Sequence, residues 1–194
     1  MNSFVLADPG KCIGCHTCEA ACIVAHSDQR IFEAGGDEAV YYPRLTVVET
    51  EDVTAPVQCR HCEDAPCANV CPNGSITNRE HSIFINQDTC IGCKTCAVVC
   101  PYGAITMVAA YSKGRKQLQR GLRVQSGNAW SPKPRMVANK CDLCEDTGGG
   151  PECVRVCPTH ALQFIASPHL DESIARKRTG TVQMLQSYGG FGDY

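Results

Sequence analysis

The chain has 194 residues, a length that suits one compact domain or two small intertwined ones. Its hydrophobic fraction of 43% includes sixteen cysteines, so the aliphatic core is modest, and a net charge of −2 selects no class of partner by itself. No apolar run nears the roughly 20 residues of a membrane helix, which leaves out direct membrane insertion.

The opening Met1–Asp8 carries no basic n-region, no long apolar h-region and no twin arginine. A cytoplasmic chain is expected, whose thiols stay reduced and bind metal; membrane association, if any, comes through partners. Phe4–Ala7 reads as a short strand. The first cysteine group follows: Cys12, Cys15, Cys18 and Cys22, with Ile23 after the last. Stretch 26–54 is acidic, with Asp28, Glu33, Asp37, Glu38, Glu49, Glu51 and Asp52. A strand at Pro56–Gln58 leads into Cys59, Cys62, Cys67 and Cys71, closed by Pro72. A strand at Ile83–Asn86 leads into Cys90, Cys93, Cys96 and Cys100, closed by Pro101.

From Gly103 to Cys141 there is no Asp or Glu, while Lys113, Arg115, Lys116, Arg120, Arg123, Lys133, Arg135 and Lys140 all lie there. Segment 111–135 reads as the longest structureless stretch, and it holds Trp130, Pro132 and Pro134. It is either a docking surface for a partner subunit or a solvated connection. Nucleic acid is not expected, because no stacking aromatics interleave the charges. A strand at Met136–Ala138 leads into Cys141, Cys144, Cys153 and Cys157, with a Gly-rich insert at 147–151 and Pro158 at the end. Ser167 as N-cap and Pro168 at the first helical position then start a helix with Leu170 and Ile174 on one edge. Arg176, Lys177, Arg178 and Gly180 are expected to end it. Val182, Met184, Leu185 and Tyr188 form a second apolar patch before Gly189–Gly192. Such a tail suits docking on a partner or on a copy of itself; the alternative is a frayed terminus.

The four groups are one unit written four times. The third is C-x2-C-x2-C-x3-C-P, the bacterial ferredoxin run that binds 4Fe–4S clusters, and the first repeats it save for the proline. The second and fourth widen the third gap. Zinc is the main alternative, but zinc sites use paired C-x2-C knuckles without the x3 step before proline. The x3 step carries the fourth cysteine one helical turn onward, facing away from its own cluster and towards a neighbouring one. Clusters therefore come in crossed pairs. Groups two and three, close in sequence, pair as an inner module; groups one and four enclose it. With iron removed, the chain is expected to be largely unfolded.

The histidines at 16, 26, 61, 81, 160 and 169 are scattered, and none reads as a metal ligand. His16 and His61 sit inside cysteine groups and read as solvent-facing loop residues, with hydrogen bonding to a cluster as the alternative. Arg60, Lys94 and Arg155 also lie inside groups; each is either a cation raising a cluster potential or a solvated charge.

These residues resemble the four-cluster ferredoxin-like electron-transfer subunits of molybdopterin oxidoreductases such as dimethyl-sulfoxide reductase and formate dehydrogenase. The resemblance spans about residues 1–168 and rests on all sixteen cysteines. Phe4–Asp8, Cys12–Ala21, Cys62–Pro72 and Cys90–Pro101 look most like one branch, the small iron–sulfur proteins of formate hydrogenlyase and hydrogen-dependent carbon dioxide reductase. The resemblance implies four 4Fe–4S clusters with crossed ligation. Cys12, Cys15 and Cys18 share one with Cys157; Cys141, Cys144 and Cys153 share one with Cys22. Cys59, Cys62 and Cys67 pair with Cys100, and Cys90, Cys93 and Cys96 with Cys71. It implies an α+β fold of two bacterial-ferredoxin-like modules with small strands and short helices. The outer module is 1–54 plus 107–168, the inner 55–106, and 169–194 is a docking tail. The implied role is a wire without an active site of its own, in an anaerobic complex. Its partners are the catalytic subunit of a molybdopterin-dependent formate dehydrogenase and a hydrogenase or second iron–sulfur subunit. Two alternatives stay open: a wire for another molybdopterin oxidoreductase, and a free polyferredoxin.

Overall fold

The computed structural model describes residues 1–27, 42–112 and 115–187. Asp28, Glu33, Asp37, Glu38, Lys113 and the closing 188–192 patch lie outside the described residues. The chain opens with β1 (Phe4–Ala7) and α1 (Thr17–Ala25), then β2 (Leu45–Glu49) and β3 (Thr54–Gln58). Next come α2 (Pro66–Asn69), β4 (Ile76–Arg79), β5 (Ser82–Ile85) and α3 (Thr95–Val99). Strands β6 (Thr106–Ala109), β7 (Tyr111–Ser112), β8 (Arg115–Lys116), β9 (Leu118–Ser126), β10 (Ala129–Pro134) and β11 (Met136–Asn139) follow. The chain closes with α4 (Glu152–Arg155), β12 (Leu162–Ile165) and α5 (Ser167–Ser187).

Every strand pair is antiparallel and two-stranded. The first strand meets the last: β1 pairs β12 from Phe4 opposite Ile165 to Ala7 opposite Leu162. Helix α1 packs on α4, so the first and fourth cysteine groups lie together. Helix α2 packs on α3, beside the β4–β5 hairpin. Strand β6 pairs β11, which ties the end of the third group to the start of the fourth.

The helix lengths follow from proline. Helices α2, α3 and α4 have four or five residues and stop before Pro72, Pro101 and Pro158, because a proline inside the helix removes a backbone donor and clashes with the preceding turn. Group one has Ile23 in that place, and α1 runs nine residues to Ala25.

Few aliphatic side chains fill the interior. Val5 and Val137 are fully buried, each contributing about 1.5–3 kcal/mol. Cys18, Cys22, Cys59 and Cys141 share one core cluster with Val5, Leu45, Val47 and Leu162. Cys67 and Cys96 share another with Ile76, Ile83 and Ile105.

Two expectations are corrected. Segment 111–135 is not structureless: β9 and β10 form a long hairpin closed by the two-residue loop Gly127–Asn128. Gly127 has φ 60°, the conformation that lets such a loop match the strand twist. Ala110, Gln117 and Arg135 lock its base by backbone hydrogen bonds of 2.8 Å. Nor does Gly180 end the tail helix. It keeps a negative φ, so α5 runs on to Ser187; an interior glycine lowers helix propensity by only about 1 kcal/mol. The helix is anchored at its start, where Ser167 N–H donates to Ser3 Oγ at 3.0 Å.

Candidate metal centres

All sixteen cysteines are free thiols. Each group opens with the same backbone device. The residue before the second cysteine is left-handed in all four: Gly14 (φ 67°), His61 (47°), Gly92 (68°) and Leu143 (61°). Left-handed residues in such turns direct successive N–H groups into an anion-binding concavity. His61 N–H donates to Cys59 Sγ at 3.4 Å, and Leu143 N–H to Cys141 Sγ at 3.5 Å. Arg44 N–H reaches Cys22 Sγ at 3.2 Å, Ala161 N–H Cys157 Sγ at 3.3 Å and Ala138 N–H Cys90 Sγ at 3.5 Å. The hydroxyls of Thr17 and Thr95 donate to Cys15 Sγ (3.3 Å) and Cys93 Sγ (3.5 Å). Backbone N–H and hydroxyl donors thus reach seven of the sulfurs, as thiolates require, while Cys71 Sγ faces the Asn73 Oδ1 acceptor at 3.3 Å.

Two cavities are walled by cysteines. One is lined by Cys12, Cys15, Cys18 and Cys157. The other is lined by Cys71, Cys90, Cys93 and Cys96. Cys100 lies close enough to Cys62 and Cys67 for its charge to act on both, and Cys22 acts likewise on Cys153.

Burial raises the thiol pKa of Cys18 and Cys67 to about 11 and that of Cys141 to about 12, and raises Cys153 further still. Thiols this reluctant to ionise become thiolates at neutral pH only on a metal. Exposed Cys15 and Cys93 go the other way, lowered by the hydroxyls of Thr17 and Thr95. Free thiols in four sets, N–H donors around them and walls of sulfur are what a 4Fe–4S cluster needs, so the residues present fit that group.

A polar tie joins the first and fourth groups. His26 Nε2 meets Asp142 Oδ1 at 2.9 Å, its Nδ1 meets the Cys22 carbonyl at 2.8 Å, and Arg44 pairs with the other Asp142 oxygen. Burial opposes both charges, yet the mutual contacts raise the His26 pKa and hold Asp142 well below the usual carboxylate range. His26, Asp142 and Cys144 also bring three potential ligand atoms within 4.8 Å of one another. Both His26 nitrogens already have protein partners.

The remaining sites divide. His16 is half-exposed and pairs with Glu19 (2.9 Å) and Glu49 (3.4 Å), as a surface loop residue does. His61 corrects the solvent-facing expectation: it is 1% exposed, and its Nδ1 accepts the Ile83 N–H at 2.9 Å. Burial lowers its pKa to about 3. Arg60 donates to the Val5 carbonyl and lies over Phe4, and Arg155 pairs with Glu152 on the surface. Two members of the basic run lie inside the fold. The Arg135 guanidinium holds the carbonyls of Gln87, Asp88 and Cys90 ahead of the third group, and Lys140 is buried. Charge counting along the sequence could not separate these two from the exposed members.

A family model described as a 4Fe-4S dicluster domain matches residues 89–161, and one described as a 4Fe-4S binding domain matches residues 9–23. Electron transport protein HydN of Escherichia coli (strain K12) is 42% identical over 185 residues, spanning 95% of this chain and 100% of that protein. Hydrogenase-4 component A of the same organism is 41% identical over 191 residues, covering 92% and 89%. Its formate hydrogenlyase subunit 2 is 40% identical over 188 residues, again 92% and 89%.

Proposed function

Because the chain belongs to the 4Fe–4S electron-transport family of HydN, hydrogenase-4 component A and formate hydrogenlyase subunit 2, we propose that it relays single electrons between a formate dehydrogenase and a hydrogenase or other redox partner. When bound, a 4Fe–4S cluster takes up and returns one electron. The chain's own part is to hold such clusters close together, shield them from water and present them to partners, without an active site of its own.

Four clusters with crossed ligands make up this reading. The sets are Cys12, Cys15, Cys18 with Cys157; Cys141, Cys144, Cys153 with Cys22; Cys59, Cys62, Cys67 with Cys100; and Cys90, Cys93, Cys96 with Cys71. The observation that carries it is the pair of cysteine-walled cavities, each closed by a fourth cysteine from a different group. The modules follow: residues 55–106 hold two clusters, and residues 1–54 with 107–168 hold two more. The packing of α1 on α4 and of α2 on α3 supports that division.

Partner contact falls to parts that carry no cysteine. The β9–β10 hairpin exposes Trp130, Leu122 and Val124 beside Arg123 and Lys133, which suits an acidic rim around an apolar contact. Helix α5 exposes Val182, Met184 and Leu185. No helix among the described residues is long and apolar enough to cross a membrane; a cytoplasmic place beside the partner enzymes fits the reading.

The test is an anaerobic affinity pull-down of the tagged protein from its native cells, with every co-purifying chain identified. Recovery of a formate dehydrogenase, with or without a hydrogenase, is the expected result. A different molybdopterin enzyme would keep the wire and change its substrate. A brown protein recovered alone at low salt would overturn the subunit reading in favour of a mobile ferredoxin.

A further inference from the structure

Lys140 is 4% exposed. Its Nζ donates to the Cys141 carbonyl at 2.8 Å and to the Ile83 carbonyl. It makes no ion pair among the described residues. Asp142, two residues on, is held by His26 and Arg44 instead. An ammonium out of water and without a counter-anion is costly, and proteins keep one where negative charge arrives to meet it.

The surroundings show where that charge would come from. Lys140 directly precedes Cys141, and its charge acts on the sulfurs of both Cys67 and Cys141, pulling against the upward push of burial. Cys59 and Cys141 belong to one core cluster and feel each other's charge. The lysine thus sits where the second cysteine group meets the fourth. Its position is rigid. Ile83 is 1% exposed; its carbonyl accepts from Lys140 while its N–H donates to His61 Nδ1. His61 belongs to the second group and Lys140 to the fourth, so one residue of β5 fixes both groups relative to the ammonium.

We propose that Lys140 is the shared counter-charge of two clusters, the one led by Cys59, Cys62 and Cys67 and the one led by Cys141, Cys144 and Cys153. This rests on the four-cluster reading above. A four-thiolate 4Fe–4S cluster is an anion and becomes more so on reduction, so a fixed cation between two of them favours the reduced form of both. Arg60, Lys94 and Arg155, which lie inside cysteine groups, do not occupy this buried position; Lys140 does. It is a positioning and tuning residue: it touches protein carbonyls, and its charge is what reaches the metal sites.

The test compares wild type, Lys140→Gln, Lys140→Met and Lys140→Arg, purified anaerobically, by iron and sulfide content and EPR-monitored redox titration. In the neutral variants two of the four midpoint potentials should fall by about 59 mV or more, a tenfold change in the one-electron equilibrium. The other two should stay, and Lys140→Arg should restore the pair. Potentials that all stay put, or that all move together, would overturn the proposal. Neutral variants that lose just these two clusters while Lys140→Arg keeps four support the charge requirement; loss in Lys140→Arg as well refutes it. Failure of the four-cluster reading is separate, because it appears as too little iron in the wild type.

Discussion

Gly14 and Gly92 occupy the same place in two copies of one repeat, with φ of 67° and 68°, yet they should respond differently to alanine. A left-handed non-glycine residue costs about 1–2 kcal/mol at either position. At Gly14 an added Cβ meets only side-chain ends, Glu49 Oε1 at 3.1 Å and Thr54 Cγ2 at 3.3 Å. The Glu49 side chain is 62% exposed and can swing away. At Gly92 the Cβ would overlap the backbone carbonyl of Met136, closer than real Cβ atoms come to anything. Met136 opens β11, which is pinned by its pairing with Ala109 and leads directly to Cys141. Overpacking against fixed structure adds about 1–3 kcal/mol. Gly14→Ala should therefore lose about 1–2 kcal/mol, and Gly92→Ala roughly 2–5 kcal/mol. Iron retained after graded urea exposure under anaerobic conditions ranks the two against wild type. A Gly14→Ala protein as fragile as Gly92→Ala would show that φ alone governs both sites and that the Met136 contact is irrelevant.

Three other expectations can be checked in the same preparations. Cys71→Ser should remove the cluster led by Cys90, Cys93 and Cys96 and spare the one led by Cys59; EPR showing the reverse would break the crossed assignment. Asp142→Asn should weaken the tie between α1 and the fourth group by about 1–3 kcal/mol, the range for leaving buried polar partners unsatisfied, read as iron lost at lower urea, and unchanged resistance would show that the His26–Asp142–Arg44 contacts contribute nothing. Reversing Arg123 and Lys133 to Glu should slow association with the partner enzyme tenfold or more at low salt while iron content stays the same; binding unaffected by both the reversal and by salt would exclude the hairpin as the docking element.

Much of the local structure was legible because proline and glycine act locally. The helix stops before Pro72, Pro101 and Pro158 needed no tertiary information, and the strands before each cysteine group fall within two residues of their expected bounds. The hairpin was legible too, but its signal lies in Ser126-Gly127-Asn128-Ala129, a two-residue Gly-Asn loop between alternating Leu122, Val124 and their polar neighbours. Charge density and two prolines obscured it. His61 and Lys140 were not legible. Local sequence shows a histidine in a turn and a lysine in a basic run; their burial depends on β5 folding over both, a contact between residues 61, 83 and 140 that no short window contains.

The division of labour within the chain follows from the same physics. Cysteines take the interior places that aliphatic residues fill in other small domains, and buried thiols such as Cys141 do not ionise unaided. On the proposed cluster reading, iron completes this interior, and folding is expected to be coupled to cofactor loading. The β9–β10 hairpin and helix α5 escape that coupling. The hairpin closes on its own ladder and joins the rest through Ala110, Gln117 and Arg135. Helix α5 is anchored at Ser167 and then runs out with exposed side chains. On the proposed reading, surface changes on either would alter which enzyme is recognised while leaving the sulfur-lined sites intact. One cluster-bearing core is thus predicted, on the proposed reading, to serve different redox partners, with recognition carried by parts that hold no iron.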